Sequence, residues 1–404
     1  MTPLHGLKVL DLSRILAGPT ATQILGDFGA EIIKIERPGQ GDDTRGWGPP
    51  YVRNAQGEEI SESTYYLASN RNKKSVAVDI SKPEGSALVR RLIAKSDVVV
   101  ENFKVGNLAR YGLSYADLKA EFPHLIYCSI TGFGQTGPYA KHAGYDFLVQ
   151  GMGGIMSITG EPDGAPTKVG VAVADLMCGL YAVIGILAAL HHRNESGEGQ
   201  HVDLSLLDTQ VASLSYLAIN YLVAGVVPQR LGNEHPSIVP YSVVPCSDGH
   251  FILANGNDSQ FERFCVFAGH PEWAKDPRFA TNSARVKNRR ICYALIEAVT
   301  RTKPQSYWIE GLTSVGVPVG PVNTIDQVFA DPQVQARDMR IRMDYPLAGA
   351  GAIDLVANPL KFSKTPVRYD LPPPCCGEHT EEILGGQLGL SPQDLAGLRA
   401  RGII

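Results

Sequence analysis

Residues 8–36, KVLDLSRILAGPTATQILGDFGAEIIKIE, decide the fold that the sequence predicts. Residues 8–12 have the apolar pattern of a strand, and the loop of residues 13–18 follows it. A helix is predicted to begin near Pro19, because proline suits a first helical turn, and to end near Gly29. The second strand, Glu31–Glu36, completes a strand–helix–strand unit.

The same alternation continues beyond this unit. Further strands are predicted at residues 75–80, 98–100 and 125–130, with a helix at residues 81–95 that is capped by Ser81. The uninterrupted valines of residues 98–100 are typical of a strand that is buried on both faces of a parallel sheet. Together these patterns predict a doubly wound α/β sheet.

The middle of the chain begins with its most apolar stretch, residues 176–190. It has about fifteen residues, fewer than the roughly 20 that span a bilayer, so a buried core helix is predicted. A strand at residues 201–204 and a second apolar helix at residues 206–223 follow it.

Two domains are expected from the change of character near Gly225. Residues 226–325 mix short strands, such as residues 251–254, with charged amphipathic helices, which predicts a smaller α+β domain. The large α/β domain then comprises residues 1–225 and 326–404.

The composition is that of an ordinary globular protein of 404 residues with a net charge of −4, which argues against a general nucleic-acid or membrane-surface binder. The seven cysteines are an odd number and include no CxxC motif. They indicate a reduced, cytoplasmic protein. No Cys/His spacing suggests a metal site.

The first strand-to-helix turn, residues 13–19, lies where parallel sheets commonly hold nucleotides. It lacks G-x-G-x-x-G, so the nicotinamide or flavin fingerprint is missing, and a purely structural turn is the alternative. Arg37 directly follows the second strand, where it could stack on an adenine or pair with a phosphate. Arg71, in the basic run of residues 71–74, could also face phosphates. For both arginines the alternative is a solvated surface residue.

Asp175 opens the apolar stretch and is therefore expected near the N-terminus of a buried helix, whose dipole would stabilise its anion. One interpretation is a helix cap. The other is an acyl-accepting carboxylate beside backbone N–H groups that can stabilise an oxyanion. Tyr145 and Asp146, after Gly144, are either an acid/base pair or a loop turn.

Taken together, several segments resemble the class III CoA-transferase family, which includes formyl-CoA and carnitine CoA-transferases and α-methylacyl-CoA racemase. Each segment is short, but their order and spacing are specific, and they extend over essentially the whole chain. They are VLDL (9–12), AGP (17–19), GDFGAE (26–31), KIER (34–37), VENF (100–103), GVPVGP (316–321) and GEHT (377–380).

Four further segments are similar to the branch of this family that transfers CoA between succinate and glutarate. They are GDDTR (41–45), NRNKKS (70–75), IYCSITG (126–132) and SIVPY (237–241). The resemblance therefore implies succinyl-CoA as donor and a short dicarboxylate, such as glutarate, as acceptor.

The resemblance also assigns roles to single residues. It implies that Asp175 is the catalytic aspartate, which forms an aspartyl anhydride and then an aspartyl-CoA thioester. The residues implied to bind CoA are Leu16, Ala17, Arg37, Asn102, Phe103 and Arg110. Candidates for the remote carboxylate of the acids, because they fall in or beside the glutarate-like segments, are Arg71, His235 and Ser237.

The fold implied by the family is a Rossmann-like large domain built from both chain ends, a small domain, and an interlocked homodimer. Coenzyme A thioesters enter as substrates, with no tightly bound cofactor, metal, nucleic acid or membrane expected. Racemases of this fold carry histidine where this chain has Tyr145, which favours transfer over racemisation. A nicotinamide-dependent oxidoreductase, disfavoured by the missing glycine fingerprint, and a CoA-binding protein without catalysis are the competing interpretations.

Overall fold

The computed structural model describes residues 2–404 and contains the parallel sheet that the sequence predicts. The strands are β1 (Lys8–Asp11), β2 (Glu31–Glu36), β3 (Tyr51–Arg53), β4 (Glu59–Ser63), β5 (Lys73–Ala77), β6 (Val98–Glu101), β7 (Ile126–Thr131), β8 (His201–Ser205), β9 (Tyr241–Cys246), β10 (Gly249–Ala254), β11 (Val319–Pro321), β12 (Arg340–Asp344) and β13 (Ala352–Val356).

The α-helices, in chain order, are α1 (Ala17–Asp27), α2 (Thr64–Leu67), α3 (Pro83–Ile93), α4 (Tyr115–Leu118), α5 (Asp146–Met152), α6 (Ile155–Ile158), α7 (Val173–Ser196), α8 (Leu206–Ser213), α9 (Ser215–Ala224), α10 (Asp258–Phe267), α11 (Asn282–Lys287), α12 (Arg289–Thr300), α13 (Gln305–Ser314), α14 (Ile325–Ala330), α15 (Pro332–Ala336), α16 (Thr380–Leu388) and α17 (Pro392–Ala400). Short 3₁₀ helices occur at Asp43–Gly46, Leu108–Tyr111 and Pro271–Lys275.

The central sheet has the strand order β5-β2-β1-β6-β7-β8, and every neighbouring pair is parallel. Counted along the chain, this is the 3-2-1-4-5-6 order of a doubly wound dinucleotide-binding sheet. The order reverses between β1 and β6, and ligands of such sheets bind outside the carboxyl ends of the strands at that point. The predicted α/β fold class is therefore confirmed.

Both faces of the sheet are covered, which explains the continuous valines of β6. Val98 and Val100 pack with α1 and α7, whereas Val99 faces the opposite core beneath α3, α16 and α17. All three side chains are fully buried. Because successive strand residues point to opposite faces, a strand that is covered on both sides can be apolar at every position, as β6 is at its three valines.

The chain divides into two compact units. The large unit comprises residues 1–154, 169–218 and 335–404, and the small unit comprises residues 155–168 and 219–334. The observed small unit thus extends beyond the expected residues 226–325 at both ends, and it also includes residues 155–168.

The small unit is built on an antiparallel sheet in the order β11-β10-β9. Its core contains residues of that sheet and of α10, α12 and α13, including Phe251, Phe264, Ile296 and Trp308. Strands and helices occur together in one core, as expected of an α+β unit.

Three local predictions need correction. The apolar segment 206–223 is not one helix, because Ser215 adopts φ +52° and separates α8 from α9. Ser81 does not cap α3: Lys82 occupies the N-cap position, and the Ser81 hydroxyl donates to Asp79 Oδ1 instead. The strand predicted at residues 75–80 lies two to three residues earlier, at Lys73–Ala77.

The apolar stretch predicted as a core helix forms α7, which extends to 24 residues. By length and composition, within the described residues, only this helix could cross a membrane. Its Cys178, Ala182 and Ile186 are fully buried in the core shared with α1 and the sheet. This face packs as the core helix that the sequence predicts.

Buried ion pairs lie at the carboxyl end of β1 and beside β2. Lys34 Nζ is 2.9 Å from Asp42 Oδ2, and Lys73 Nζ is 3.1 Å from Asp11 Oδ2; all four side chains are inaccessible to solvent. Burial by itself would raise the pKa of Asp42, but Lys34 and the hydrogen bonds from Thr44 outweigh it and hold that pKa at about 2. The stability that Asp42 contributes as an anion is therefore fully present above its ordinary pKa of 3.8 and is lost progressively as pH falls from there through about 2.

Replacing Lys34 by methionine tests this arrangement. Lys34→Met removes the cation that pairs with Asp42 and leaves this carboxylate buried. We therefore expect the free energy of unfolding to fall by about 3–5 kcal/mol. Guanidinium unfolding measures the loss. Lys95→Met, at an exposed position, is the matched control and should change stability by less than about 0.5 kcal/mol. Equal stabilities of the two variants would contradict the structural role of the pair.

Candidate active site

A cavity of about 320 Å³ lies in the large unit where the strand order reverses. It is lined by the loop after β1, the segment after β6, the end of β7 and the first turn of α7. Charged and polar groups on its wall include Arg14, Asn102, Lys104, His142 and Asp175. A ligand site was expected at this edge of the sheet from the fold alone.

A second cavity, of about 400 Å³, lies beside the first. Arg14, Phe103 and Asn107 line both cavities, so the two adjoin each other at the edge between β1 and β6. Arg37 and residues 78–81 line its far part. The combined groove is long and mixed in polarity, as an extended ligand with polar and apolar parts requires.

The loop after β1 is held by side chains from four directions. The Ser13 N–H donates to Asp11 Oδ1 at 2.9 Å, and the Ser13 carbonyl accepts from Lys34 Nζ at 2.8 Å. The Asn102 amide accepts from the Arg14 N–H at 2.9 Å and donates to the Arg14 carbonyl at 2.6 Å. Asp42 accepts from the Ile15 N–H at 3.2 Å.

These bonds maintain a backbone conformation that the sequence does not favour. Ile15 has φ +73°, a left-handed conformation that is costly for a β-branched residue. Gly18 is required for the same turn, because a Cβ at this position would lie 2.2 Å from Ser13 Oγ. The loop is thus fixed in one shape, with Ile15, Leu16 and Ala17 lining the cavity.

Asp175 lies in the first turn of α7 and lines the same cavity. Burial raises the pKa of Asp175 to about 7, and the carboxylate of Asp146 contributes further. The sequence predicted the opposite direction, with the helix dipole stabilising the anion. Burial and a second carboxylate outweigh the dipole here, so Asp175 is a carboxyl group that changes charge near neutral pH.

Two further residues lie near Asp175. Sequence reasoning left the role of Asp146 open and missed Tyr65. Asp146 Oδ1 accepts from the N–H groups of Ala174, at 2.8 Å, and Asp175, at 3.3 Å. It therefore caps α7, the role that sequence reasoning had considered for Asp175 itself. Burial raises the pKa of Tyr65, and the nearby carboxylates of Asp175 and Asp146 raise it further. It lies between β4 and β5, in a segment without a periodic pattern that could have signalled it.

The structure brings most of the predicted CoA-binding residues together. Leu16, Ala17, Asn102 and Phe103 line the first cavity with Asp175, and Arg37 lines the second. Arg110 is exposed on the 3₁₀ helix Leu108–Tyr111 and lines neither cavity.

Arg71 is not placed to meet a substrate. Its side chain is buried, with Nη2 2.6 Å from Asp27 Oδ2 and Nη1 donating to the Val356 carbonyl at 2.9 Å. Its guanidinium also lies 5.1 Å from the ring centre of Tyr369. Because the side chain is buried and each of its three nitrogens has a protein partner, Arg71 is neither a solvated residue nor placed, as expected, to bind a substrate carboxylate.

His235 and Ser237 belong to the small unit, just before β9. The Ser237 N–H donates to His235 Nδ1 at 3.0 Å, which places the proton of the neutral ring on Nε2. Burial and Arg289 lower the pKa of His235, so the neutral form of the ring predominates at pH 7.

Comparison with known proteins identifies the family. The model of CoA-transferase family III matches residues 4–380. The chain belongs to this family. The expectation drawn from the segments is thereby confirmed, and neither a racemase nor a nicotinamide-dependent oxidoreductase is favoured. Enzymes of this family use CoA thioesters as substrates, and the chain is such an enzyme.

Its relatives share most of its length. A succinate–glutarate CoA-transferase from Agrobacterium fabrum is 53% identical over 382 residues, covering 95% of each chain. The succinyl-CoA:glutarate CoA-transferase of Homo sapiens is 42% identical over 402 residues, covering 100% of this chain and 90% of the human one. The crystal structure of a CAIB/BAIF family protein from Brucella suis superposes with a TM-score of 0.84 at 50% identity, covering 96% and 99% of the two chains.

Proposed function

We propose that this enzyme transfers CoA from succinyl-CoA to glutarate, and that Asp175 is the carboxylate that carries the acyl group. The position of Asp175 on the wall of the groove, with a pKa of about 7, is the observation that carries the proposal. The substrate pair rests on the relatives from Agrobacterium fabrum and Homo sapiens, whose names state it.

Coenzyme A is proposed to bind across the two adjoining cavities, with its nucleotide in the second and its thioester in the first. Arg37 and residues 78–81 supply a basic group and a wall for the adenine end. Leu16 and Ala17 open α1, whose N-terminal end favours anionic groups, while Phe103 lies between the two cavities. Asn102 supports this site by holding the loop, and exposed Arg110 is proposed to reach phosphates from outside.

The reaction begins when the Asp175 carboxylate attacks the thioester carbonyl of succinyl-CoA. The C–S bond breaks, CoA leaves as a thiolate, and a mixed anhydride joins Asp175 to the succinyl group. The thiolate then attacks the Asp175 carbonyl, which releases succinate and leaves an aspartyl-CoA thioester.

Glutarate repeats these steps in the opposite order. Its carboxylate attacks the aspartyl-CoA thioester and displaces the thiolate, and the thiolate attacks the glutaryl carbonyl of the new anhydride. Glutaryl-CoA leaves and the Asp175 carboxylate is restored. Each intermediate stays activated, so no external energy source is needed, but water must be excluded because it would hydrolyse an anhydride.

The first test is replacement of the nucleophile. Asp175→Ala and Asp175→Asn should abolish transfer while CoA binding, measured by calorimetry, persists, because neither side chain can form the anhydride. Asp208→Asn, which removes an exposed carboxylate from the first turn of α8, is the control and should retain activity. More than about a tenth of the wild-type rate in Asp175→Ala, a loss of only ~1.4 kcal/mol, would remove Asp175 from this role.

A second test concerns the acceptor. The remote carboxylate of glutarate needs a partner in a dry site, since an unpaired buried carboxylate is costly. Pentanoate, which lacks this carboxylate, should react with a kcat/KM lower by roughly tenfold or more, corresponding to about 1.5–3 kcal/mol. Equal use of both acids would refute the dicarboxylate assignment and leave CoA transfer intact.

A homodimer is also proposed. Leu180, Ile184 and Leu187 form a stripe on α7 that is 46%, 60% and 37% exposed, although α7 is among the most apolar segments of the chain. Exposed apolar surface of this kind favours a protein partner, and a second copy of the chain agrees with the threaded dimers that the family resemblance implies.

Dilution measures this association. Threaded chains cannot separate without partial unfolding, so we expect mass photometry at nanomolar concentration to detect only dimers. A monomer that appears reversibly on dilution would contradict the interlocked arrangement.

A reducing, cytoplasmic setting is proposed as well. The seven cysteines, all within the described residues, are unpaired thiols. Disulfides form and persist in oxidising compartments, so unpaired thiols agree with a reducing one.

A further inference from the structure

One carboxylate joins the first turns of two helices beside Asp175. Asp146 is the first residue of α5, and its Oδ1 accepts from the N–H groups of Ala174, at 2.8 Å, and Asp175, at 3.3 Å, in α7. The N-cap residue of α7, Ala172, forms no side-chain cap of its own. Asp146 therefore supplies from another helix the acceptor that the start of α7 lacks.

The second oxygen of Asp146 is also held. Gln150, one turn later in α5 and fully buried, donates from Nε2 to Asp146 Oδ2 at 2.7 Å. The Oε1 of Gln150 accepts in turn from the Val169 N–H at 2.8 Å. Since Gln150 is anchored at both ends of its amide, the Asp146 carboxylate is fixed in orientation.

This arrangement changes the environment of Asp175. The backbone donors that would stabilise an anion at the start of α7 are already directed to Asp146. Within residues 2–404, no donor offsets the burial of the Asp175 carboxylate, and the Asp146 carboxylate adds repulsion. Tyr65 on α2 and Cys178 on α7 both have raised pKa values and are neutral at pH 7, so neither compensates the charge. Arg14, Lys104 and His142 line the same cavity, but only burial and Asp146 shift the pKa of Asp175.

We propose that Asp146 is a positioning residue for Asp175: it fixes the first turn of α7 and keeps the Asp175 anion poorly stabilised in the free enzyme. This inference rests on the proposed role of Asp175 as the acylated group. When Asp175 becomes an anhydride or thioester it loses its charge, and the repulsion between the two carboxylates disappears. The loss of this repulsion offsets part of the free energy that is needed to form the covalent intermediate.

The test is the pH dependence of kcat/KM for succinyl-CoA in Asp146→Asn. Asparagine keeps the size of the side chain and one oxygen acceptor but removes the charge. A neighbouring negative charge raises a carboxyl pKa, so its removal should move the acid limb of the profile to lower pH, by roughly one unit. The kcat at the alkaline plateau should also fall, because a less basic carboxylate is a weaker nucleophile. Asp208→Asn, which removes an equal charge from the neighbouring helix α8, should leave the acid limb unchanged.

A purely structural role predicts a different result. Asp146→Asn would then lose thermal stability and kcat while its acid limb stays in place, and this outcome would overturn the proposal. Asp146→Ser, whose hydroxyl can cap α7 without charge, should show the same shift as Asp146→Asn.

A measurement on the unmutated protein does not depend on either variant folding. With ¹³C-labelled aspartate and Asp175→Asn for assignment, the carboxyl of Asp175 should titrate near neutral pH. Titration near the ordinary value of ~4 would overturn the proposal. The two hypotheses fail separately: transfer retained by Asp175→Ala refutes the proposed function, whereas an inactive Asp175→Ala with an unshifted profile in Asp146→Asn refutes only the role of Asp146.

Discussion

The buried pair of Lys34 and Asp42 is the constraint on which the rest of the site depends. A charge in a protein interior is costly unless it is paired and hydrogen bonded. Since both side chains are buried, Lys34 and Asp42 must contact each other. Lys34 reaches from β2 to the Ser13 carbonyl, and Asp42 reaches the Ile15 N–H. The pair thereby connects the second strand to the loop that opens the groove.

The fold determines where that loop lies, and the polar contacts determine its shape. The reversal of strand order between β1 and β6 leaves a crevice at the carboxyl edge of the sheet. Asn102, from the β6 side, bonds the backbone of Arg14 on the β1 side and so bridges that crevice. The strained conformation of Ile15 persists because these partners hold the residues around it.

The sequence predicted the helices and strands whose residue types are determined mainly by burial in the core. The β2 strand, the core helix containing Asp175 and the α/β class follow from apolar patterns, which depend on local spacing. Features that depend on distant partners could not be predicted in this way. From the sequence, Arg71 was interpreted as a solvated or phosphate-binding arginine. Its actual partner, Asp27, is 44 residues away in the sequence and could not be inferred from local spacing. The break at Ser215 is equally invisible, because the apolar pattern continues across it.

The direction of the Asp175 pKa shows best why the active site escapes prediction from sequence. Two buried carboxyls close to the groove have cations beside them: Asp11 has Lys73 and Asp42 has Lys34, and in both cases pairing outweighs burial and lowers the pKa. Asp175 is largely withdrawn from water and faces another carboxylate instead of a cation, so its pKa rises. A carboxyl that is withdrawn from water without such a partner is maintained at a cost in stability. Acylation removes the charge that causes this cost, and an arrangement that favours the covalent intermediate over the free carboxylate is what a nucleophile requires.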